Sequence, residues 1–443
     1  MWGRAVGDHQ DVLRVTASFA GFRHVEVGGL PLLFAEDARF KTVRLVVEFR
    51  RPLAAPMAAS RSILPGLLLL GTEDHPDRPS LARRMDDLHG AVVVPATAKV
   101  GETHVLRLVL DAVSGRFLPG APDQIREGLA LLAEILTRPK LEAGAFPVER
   151  FERERRQALD SIRAERDDPG RYALSEAVRR ACVGEPMAVP EHGGAGAVEA
   201  LDAAQPAAAL ADFLACGEVV LGACGAFQES ELLRGVERFL DRLPVRSPEV
   251  CPRPLLVPPR DARSASDDLP LRQSKLVQVH RFDGEVDADG WLARNLFVGM
   301  LGGSPSSRLF REVRERHSLA YYASSSLDRH KGLMHVQVGL ERKAAAAVRE
   351  QIAVQIEKLR AGRFEDVEIE TARAQLVEGI LGVDDAAATR CRFALGQWAL
   401  GIDRSPEDAV AACSRVGRDE IIAAARSLWM DFDYLLAGEG APA

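Results

Sequence analysis

At 443 residues the chain is longer than one ordinary core supports, and roughly 100 to 200 residues per domain implies two to four packed units. Hydrophobic residues make up 47% and charged residues 27%, a globular balance, and the net charge of -7 comes from interspersed acids and bases, which offers nucleic acid no basic stripe. No apolar run approaches the roughly 20 residues of a bilayer span, and MWGRAVGDHQDVLRV lacks the order of a signal peptide, so a cytoplasmic protein without a membrane partner is expected.

In chain order, TVRLVVEFR predicts a strand, AAPMAASRSILPGLLLLG a helix and PSLARRMDDLHG a second helix. AVVVPATAKV and THVLRLVLDA predict strands, QIREGLALLAEILTRP a helix, and FPVERFERERRQALDSIRAERDD a long charged amphipathic helix. GEVVLGACGAF and ESELLRGVERFLDRL close this half as strand and helix. Residues 244–270 then carry seven prolines in 27 residues, which blocks helix and central strand alike and predicts an extended linker.

Beyond the linker a similar order returns, which points to duplication. SKLVQVHRF predicts a strand, WLARNLFVGMLGG and SSRLFREVRERH helices, and SLAYYASSSLDRHKGLMHVQVGLE a hairpin turning at Lys331-Gly332. AAAAVREQIAVQIEKLRAG and a long segment from Glu365 predict helices, and DYLLAG a strand near the end. Antiparallel sheets with helices on one face make the expected class α+β, and two such halves facing each other would enclose a cavity. The six cysteines contain no C-x-x-C pair, which argues against a thiolate zinc knuckle or a disulfide framework.

This order, with GGSPSSRLFREVRERHSLAYYASS, resembles the pitrilysin/insulinase family of zinc peptidases, and ILPGLLLLGTEDHP is most similar to its bacterial inactive-subunit branch. The resemblance runs from about Val25 to the end. It implies an N-terminal peptidase-like domain over 20–243, the linker, and a C-terminal one over 271–443, together a clam-like half of a peptidase chamber. In active members an H-x-x-E-H motif sets two imidazoles one helical turn apart with a glutamate as general base, and a further glutamate on the long helix completes the zinc ligands.

Anchored on Gly71-Thr72, this chain places Ser62, Pro65 and Gly66 at the first histidine, the glutamate and the second histidine. Anchored on RDDP, it places Ser161 at the third ligand, while the acid two turns earlier survives as Glu154. No two of the ten histidines stand four residues apart. Pro65 also removes a helical N–H and costs about 3 kcal/mol unless the helix kinks or begins there. Active relatives carry an Asn-Ala pair on the strand after the second helix, where substrate backbone adds to the sheet. Val93 and Val94 take those places, followed by Pro95, which discourages strand addition.

The family's substrate-gripping Arg and Tyr match Arg314 and Tyr321, seven residues apart. A guanidinium and a phenol can donate to substrate carbonyls or a developing oxyanion. Strand alternation sends Tyr321 and Tyr322 to opposite faces, and an Arg in REVRERH has a solvated helix face as its plainer reading. Gly302 and Gly303 permit close backbone approach and free N–H groups that would hold a peptide carboxylate, or else form a plain turn capped by Ser304 or Ser306.

The resemblance therefore implies no catalytic residue and no metal in this chain. The expected function is a non-catalytic, substrate-binding subunit that pairs with a zinc-motif paralogue of similar length, with zinc, base and water in that partner and a peptide or unfolded polypeptide as substrate. The alternative is a peptide-binding scaffold without a proteolytic partner, including as a homodimer.

Overall fold

A computed structural model describes residues 13–120, 123–252, 256–285 and 287–438. Most of the opening stretch read above for a signal peptide, and linker residues 253–255, lie outside them. The chain divides into two units: Met1–Leu159 with Glu191–Pro252 and Val383–Pro406, and Asp160–Pro190 with Arg253–Gly382 and Glu407–Ala443.

The strands of the first unit are β1 (Leu13–Phe19), β2 (Phe22–Val27), β3 (Leu30–Glu36), β4 (Thr42–Pro52), β5 (Val92–Val100), β6 (Thr103–Val113) and β7 (Glu218–Gly225). They form one sheet in the order β1-β2-β3-β7-β4-β6-β5. Those of the second unit are β8 (Arg263–Asp268), β9 (Ser274–Phe282), β10 (Ala320–Asp328), β11 (Leu333–Leu340) and β12 (Leu428–Ala437), in the order β10-β11-β9-β12-β8. Read from β8, that order reproduces β3-β7-β4-β6-β5 strand for strand. The pairings are antiparallel except for β3 with β7 and β8 with β12, which are parallel and occupy equivalent places. The duplication inferred from element order is thus a duplication of topology, with one parallel pair in each otherwise antiparallel sheet.

Helices cover both faces of each sheet rather than the single face expected. In the first unit, helix Gln124–Thr137 lies over Leu45 and Leu110 through Gly128, where a side chain would come within 3.1 Å of Leu110. The opposite face packs Leu33, Val46, Val220 and Cys224 against Cys391, Ala394 and Leu395 of helix Ala387–Leu400. Gly222 makes that approach feasible, because a β-carbon there would stand 3.3 Å from Leu395.

The second unit is arranged likewise. Helices Ala288–Gly302, Ala345–Arg360 and Arg418–Ser427 cover Leu276, Met334, Val336 and Val338. The other face sets Val277, Val279, Leu333 and Tyr434 against Ala173, Ala177 and Ala181 of helix Pro169–Ala181. Strands buried on both faces place apolar residues at consecutive positions, as Leu45, Val46 and Val47 on β4 and Leu276 and Val277 on β9 do, with Glu48 and Gln278 as buried polar neighbours. No helix among the described residues is long and apolar enough to cross a membrane.

β1 to β3 and β8 are additions to the sequence reading. β8, RSASDD, lies inside the stretch read as linker and alternates half-buried with exposed residues, so its pairing with β12 defines it rather than any apolar pattern.

Beneath helix Pro169–Ala181 the second unit buries a set of charges. Arg281 donates to Glu185 at 2.6 Å and to Asp431 at 2.6 Å, Lys331 reaches Glu185 at 2.7 Å, and Arg260 and Arg263 reach Asp431 at 2.8 and 2.9 Å. Burial works to raise both acids, but the donors outweigh it and hold Glu185 and Asp431 below the ordinary carboxylate range. A carboxyl depressed in the folded state contributes stability above its unfolded pKa of about 4 and loses it as pH falls through the folded value. Urea midpoints should therefore be steady near neutrality and fall below about pH 4. Asp431→Asn should lower stability by about 3 kcal/mol at pH 7 and shallow that acid limb, since three guanidinium groups lose their shared anion. A D431N protein with the parent midpoint and acid limb would show the network to be dispensable.

Candidate functional site

The stretch aligned with the zinc-binding helix is not one helix. Helix Ala55–Ser62 ends at Ile63, and a second, Leu64–Leu68, begins with Pro65 in its first turn, where the missing N–H has no partner to lose. Ser62 is half-buried and donates its hydroxyl to the Ala59 carbonyl at 2.9 Å, a bond internal to its own helix. Gly66 faces Glu154 so closely that a β-carbon at 66 would stand 2.1 Å from a Glu154 carboxylate oxygen. The surviving acid thus occupies the space through which a side chain at the second-histidine position would extend. Its other oxygen accepts from Arg153 at 3.2 Å. Ser161, two turns further along helix Val148–Ala164, is exposed.

The surroundings of these positions are closely bonded. Gly71 adopts φ 137° where a side chain would strike the Pro76 backbone at 2.7 Å, so the chain turns there without one. Thr72 is fully buried, its hydroxyl bonds Glu134, and His75 Nδ1 meets the same carboxylate at 2.8 Å. Arg150, one turn before Glu154, donates to the carbonyls of Leu70 at 2.6 Å and Pro76 at 2.9 Å and pins the long helix to this loop.

A protein-bound zinc needs at least three protein ligands, and the aligned positions offer two serine hydroxyls, a proline and a glycine, with one carboxylate nearby at Glu154. These residues do not fit the metal. No group of three or more His, Cys, Asp or Glu side chains among the described residues is placed to hold an ion. His104 illustrates the fate of a buried histidine here: neither ring nitrogen has a partner, and burial, with Arg61 and Lys99 adding, pushes it down to about 4, which keeps it neutral.

β5, the outer strand of the first sheet, carries Val93 into the core and leaves Val94 exposed. Pro95 is buried beside them within a ladder to β6 that runs from Val92 to Val100 without a register shift. An unbroken ladder leaves the proline nitrogen facing the open edge, where it offers no N–H to an added strand.

The equivalent outer strand of the second unit is β10, and Arg314 and Tyr321 lie at its entry. Residues Phe310–Arg316 wind as a π-helical turn, with His317 N–H bonded to the Glu312 carbonyl at 3.2 Å, and Ser318 then adopts φ 49°. Of the arginines here, Arg308 and Arg311 bind Glu368 and Arg316 binds Glu312. Arg314 is exposed, stacks its guanidinium 4.6 Å from the Phe310 ring, and has no carboxylate partner among the described residues.

Tyr321 is the extra residue of a β-bulge between Ala320 and Tyr322 and is 50% exposed. Tyr322 points the other way. Its ring lies over Gly339, where a β-carbon would clash at 2.3 Å, and Lys275 sits 5.2 Å from the ring centroid. Burial, with Asp168 adding, raises its phenol. The π turn and the bulge have no sequence signal in the apolar pattern, and Gly339 is legible only as a strand glycine that marks a close approach.

Gly302 and Gly303 end helix Ala288–Gly302 rather than open the next helix. Gly303 donates its N–H to the Gly299 carbonyl at 3.0 Å. Gly302 is buried, and a β-carbon there would stand 2.5 Å from the Ser325 backbone on β10. Close backbone approach accounts for Gly302, and Gly303 has its donor engaged. Ser304 and Ser306 share a hydroxyl bond of 2.9 Å in the following turn.

Known proteins share this architecture. Residues 211–376 match the profile of the peptidase M16 inactive domain. A probable inactive metalloprotease, YmfF of Bacillus subtilis, is 28% identical over 94% of this chain and 97% of its own. An uncharacterized zinc protease of Mycobacterium tuberculosis is 28% identical over 71% of this chain and 70% of its own. A conserved protein of Enterococcus faecalis superposes with TM-score 0.87 at 26% identity over 94% of this chain and 98% of that one. The M16 inactive domain of Pseudomonas fluorescens, 18% identical, shares the fold with TM-score 0.75 over 97% of this chain and 99% of its own. By profile, sequence and superposition, the chain is similar to inactive homologues of the M16, or pitrilysin/insulinase, peptidases.

Proposed function

We propose that this chain is the substrate-binding, non-catalytic subunit of a heterodimeric zinc peptidase of the cytoplasm, paired with a paralogue of similar length that carries H-x-x-E-H. The observation that carries this reading is the contrast between the two aligned sites. In the first unit Pro65 and Gly66 stand at the base and second-histidine positions, and Glu154 closes over Gly66. In the second, Arg314 and Tyr321 remain exposed at the entry to β10, and Arg314 keeps a guanidinium that no carboxylate among the described residues neutralises.

In the mixed enzyme the partner supplies zinc, general base and water. Arg314 and Tyr321 supply donors: the guanidinium holds a substrate carbonyl through two N–H groups, and the phenol donates to the scissile oxygen as negative charge develops there. The substrate is a peptide or unfolded polypeptide, since extended backbone presents the carbonyls such donors grip.

Metal analysis of this chain purified alone, after dialysis against zinc, should give far less than one zinc per chain, and a stoichiometric, chelator-removable ion would contradict the reading of Ser62, Pro65, Gly66 and Ser161. Quenched peptides should be cleaved only by the mixture with a zinc-motif paralogue from the same genome, and a chelator should abolish the cleavage. Arg314→Ala should lower turnover of the mixture about 100-fold, and Tyr321→Phe by a similar order, with the complex intact by size-exclusion chromatography. Undiminished turnover in either variant removes that residue from the mechanism. Silence of every mixture, with peptide binding by this chain alone, would favour the scaffold reading.

A further inference from the structure

The first unit holds two thiols that the peptidase comparison leaves without a role. Cys224 lies on β7 and Cys391 on helix Ala387–Leu400, and both are buried in the cluster that joins this helix to the sheet. Both thiols point into this cluster, where each shifts the other's titration. The helix is held close on either side of Cys391, by the Arg390 ion pair with Asp37 and by Leu395 seated over Gly222. These contacts hold Cys391 against the part of β7 that carries Cys224.

We propose that Cys224 and Cys391 are an oxidation-sensitive dithiol whose disulfide staples helix Ala387–Leu400 to the first unit's sheet. The pair is differentiated in the way such chemistry needs. The neighbouring Cys391 thiol holds the Cys224 thiol below its ordinary range against the effect of burial, with Arg390 assisting, while Cys391 is raised. Burial pushes Cys182 and Cys251 up to about 11 and raises Cys413, so these thiols stay protonated and slow to react.

With hydrogen peroxide as oxidant, the Cys224 thiolate attacks one peroxide oxygen and the O–O bond breaks. This gives a sulfenic acid and a hydroxide, which takes up the proton that Cys224 released and leaves as water. The Cys391 sulfur then attacks the sulfenic sulfur; the S–O bond breaks, and the departing hydroxyl leaves with the Cys391 proton as a second water. Two electrons pass from the two sulfurs to the peroxide. The new bond closes a loop of about 170 residues, a length at which a crosslink strongly restricts the unfolded chain.

The test uses the whole protein, treated with hydrogen peroxide, alkylated, digested without reduction and analysed by mass spectrometry. The expected product is a linked peptide pair containing Cys224 and Cys391, lighter than the separate peptides by two hydrogens. The melting temperature should rise by on the order of 5 °C and return on reduction with dithiothreitol. Cys391→Ala and, separately, Cys224→Ser should each remove the peroxide-induced rise whatever their own starting stability. Both thiols remaining alkylatable at peroxide doses that oxidise other cysteines of this chain would overturn the proposal, as would a crosslink through a different cysteine. A correct link without a change in melting would overturn its stapling role.

Discussion

Both sheets are buried on both faces, and the second face of each depends on a helix that is distant in sequence from most of the strands it covers. A strand such as β4 or β9, apolar on both sides, cannot be left half-covered, because each exposed apolar side chain forfeits about 1.5 to 3 kcal/mol of burial. Helix Ala387–Leu400 meets that need in the first unit and helix Pro169–Ala181 in the second. What selects these helices over others of similar composition is polar. Arg390 binds Asp37 beside the first, and Arg50, itself paired with Glu48 at 2.9 Å, donates to the Leu395 carbonyl at 3.1 Å. Beside the second, Arg260 and Arg263 donate to the Ala181 carbonyl at 3.0 and 2.6 Å while sharing Asp431. A different helix in either place would lose the Arg390–Asp37 pair or the helix carbonyls that Arg50, Arg260 and Arg263 reach, so these polar contacts favour the segment that docks.

The lost metal site follows the same logic of space and satisfaction. Imidazoles and a zinc ion would occupy volume and neutralise an acid; without them the acid and the volume both need another use. Gly66 and Glu154 provide one, the carboxylate lying where a side chain would otherwise stand. Pro65 provides another, since a proline is tolerated only where a helix begins, and Ile63 supplies the break. Beyond these positions Thr72, His75, Glu134 and Arg150 bond the surrounding loop and helices together.

Much of this is legible in the sequence, and the illegible parts share a cause. β4 to β7 and β9 to β11 stand where apolar pattern and turn residues put them, and Lys331-Gly332 does close the β10 to β11 hairpin, with Gly332 at φ 72°. β8 is invisible because RSASDD has no apolar face, and β12 alone makes it a strand. The docking of two helices on sheets far away in sequence is invisible because periodicity says that a helix has a buried face, not which sheet receives it. At the aligned site, residue identity suffices to show that Ser62, Pro65 and Gly66 cannot ligate, but that Glu154 closes over Gly66 requires three-dimensional distance. The same holds for Gly302 and Gly303, whose pairing suggests a loop for a carboxylate and whose contacts with Gly299 and Ser325 show a helix end packed on β10.

The duplication gives the surviving residues a sharper meaning than their types alone would. β5 and β10 are equivalent outer strands, and each departs from regularity in its own way. β5 keeps an unbroken ladder and sets Pro95 in it, removing one donor from its open edge. β10 instead begins with a π turn, a serine in the left-handed region and a bulge, three irregularities within a dozen residues. Their shared result is that Arg314 is freed from the carboxylates that engage its neighbours and that Tyr321 is turned outward while Tyr322 fills the space over Gly339. Irregular backbone at an outer strand sets which side chains reach the open surface, and here those are Arg314 and Tyr321, while Val313 and Tyr322 pack inward.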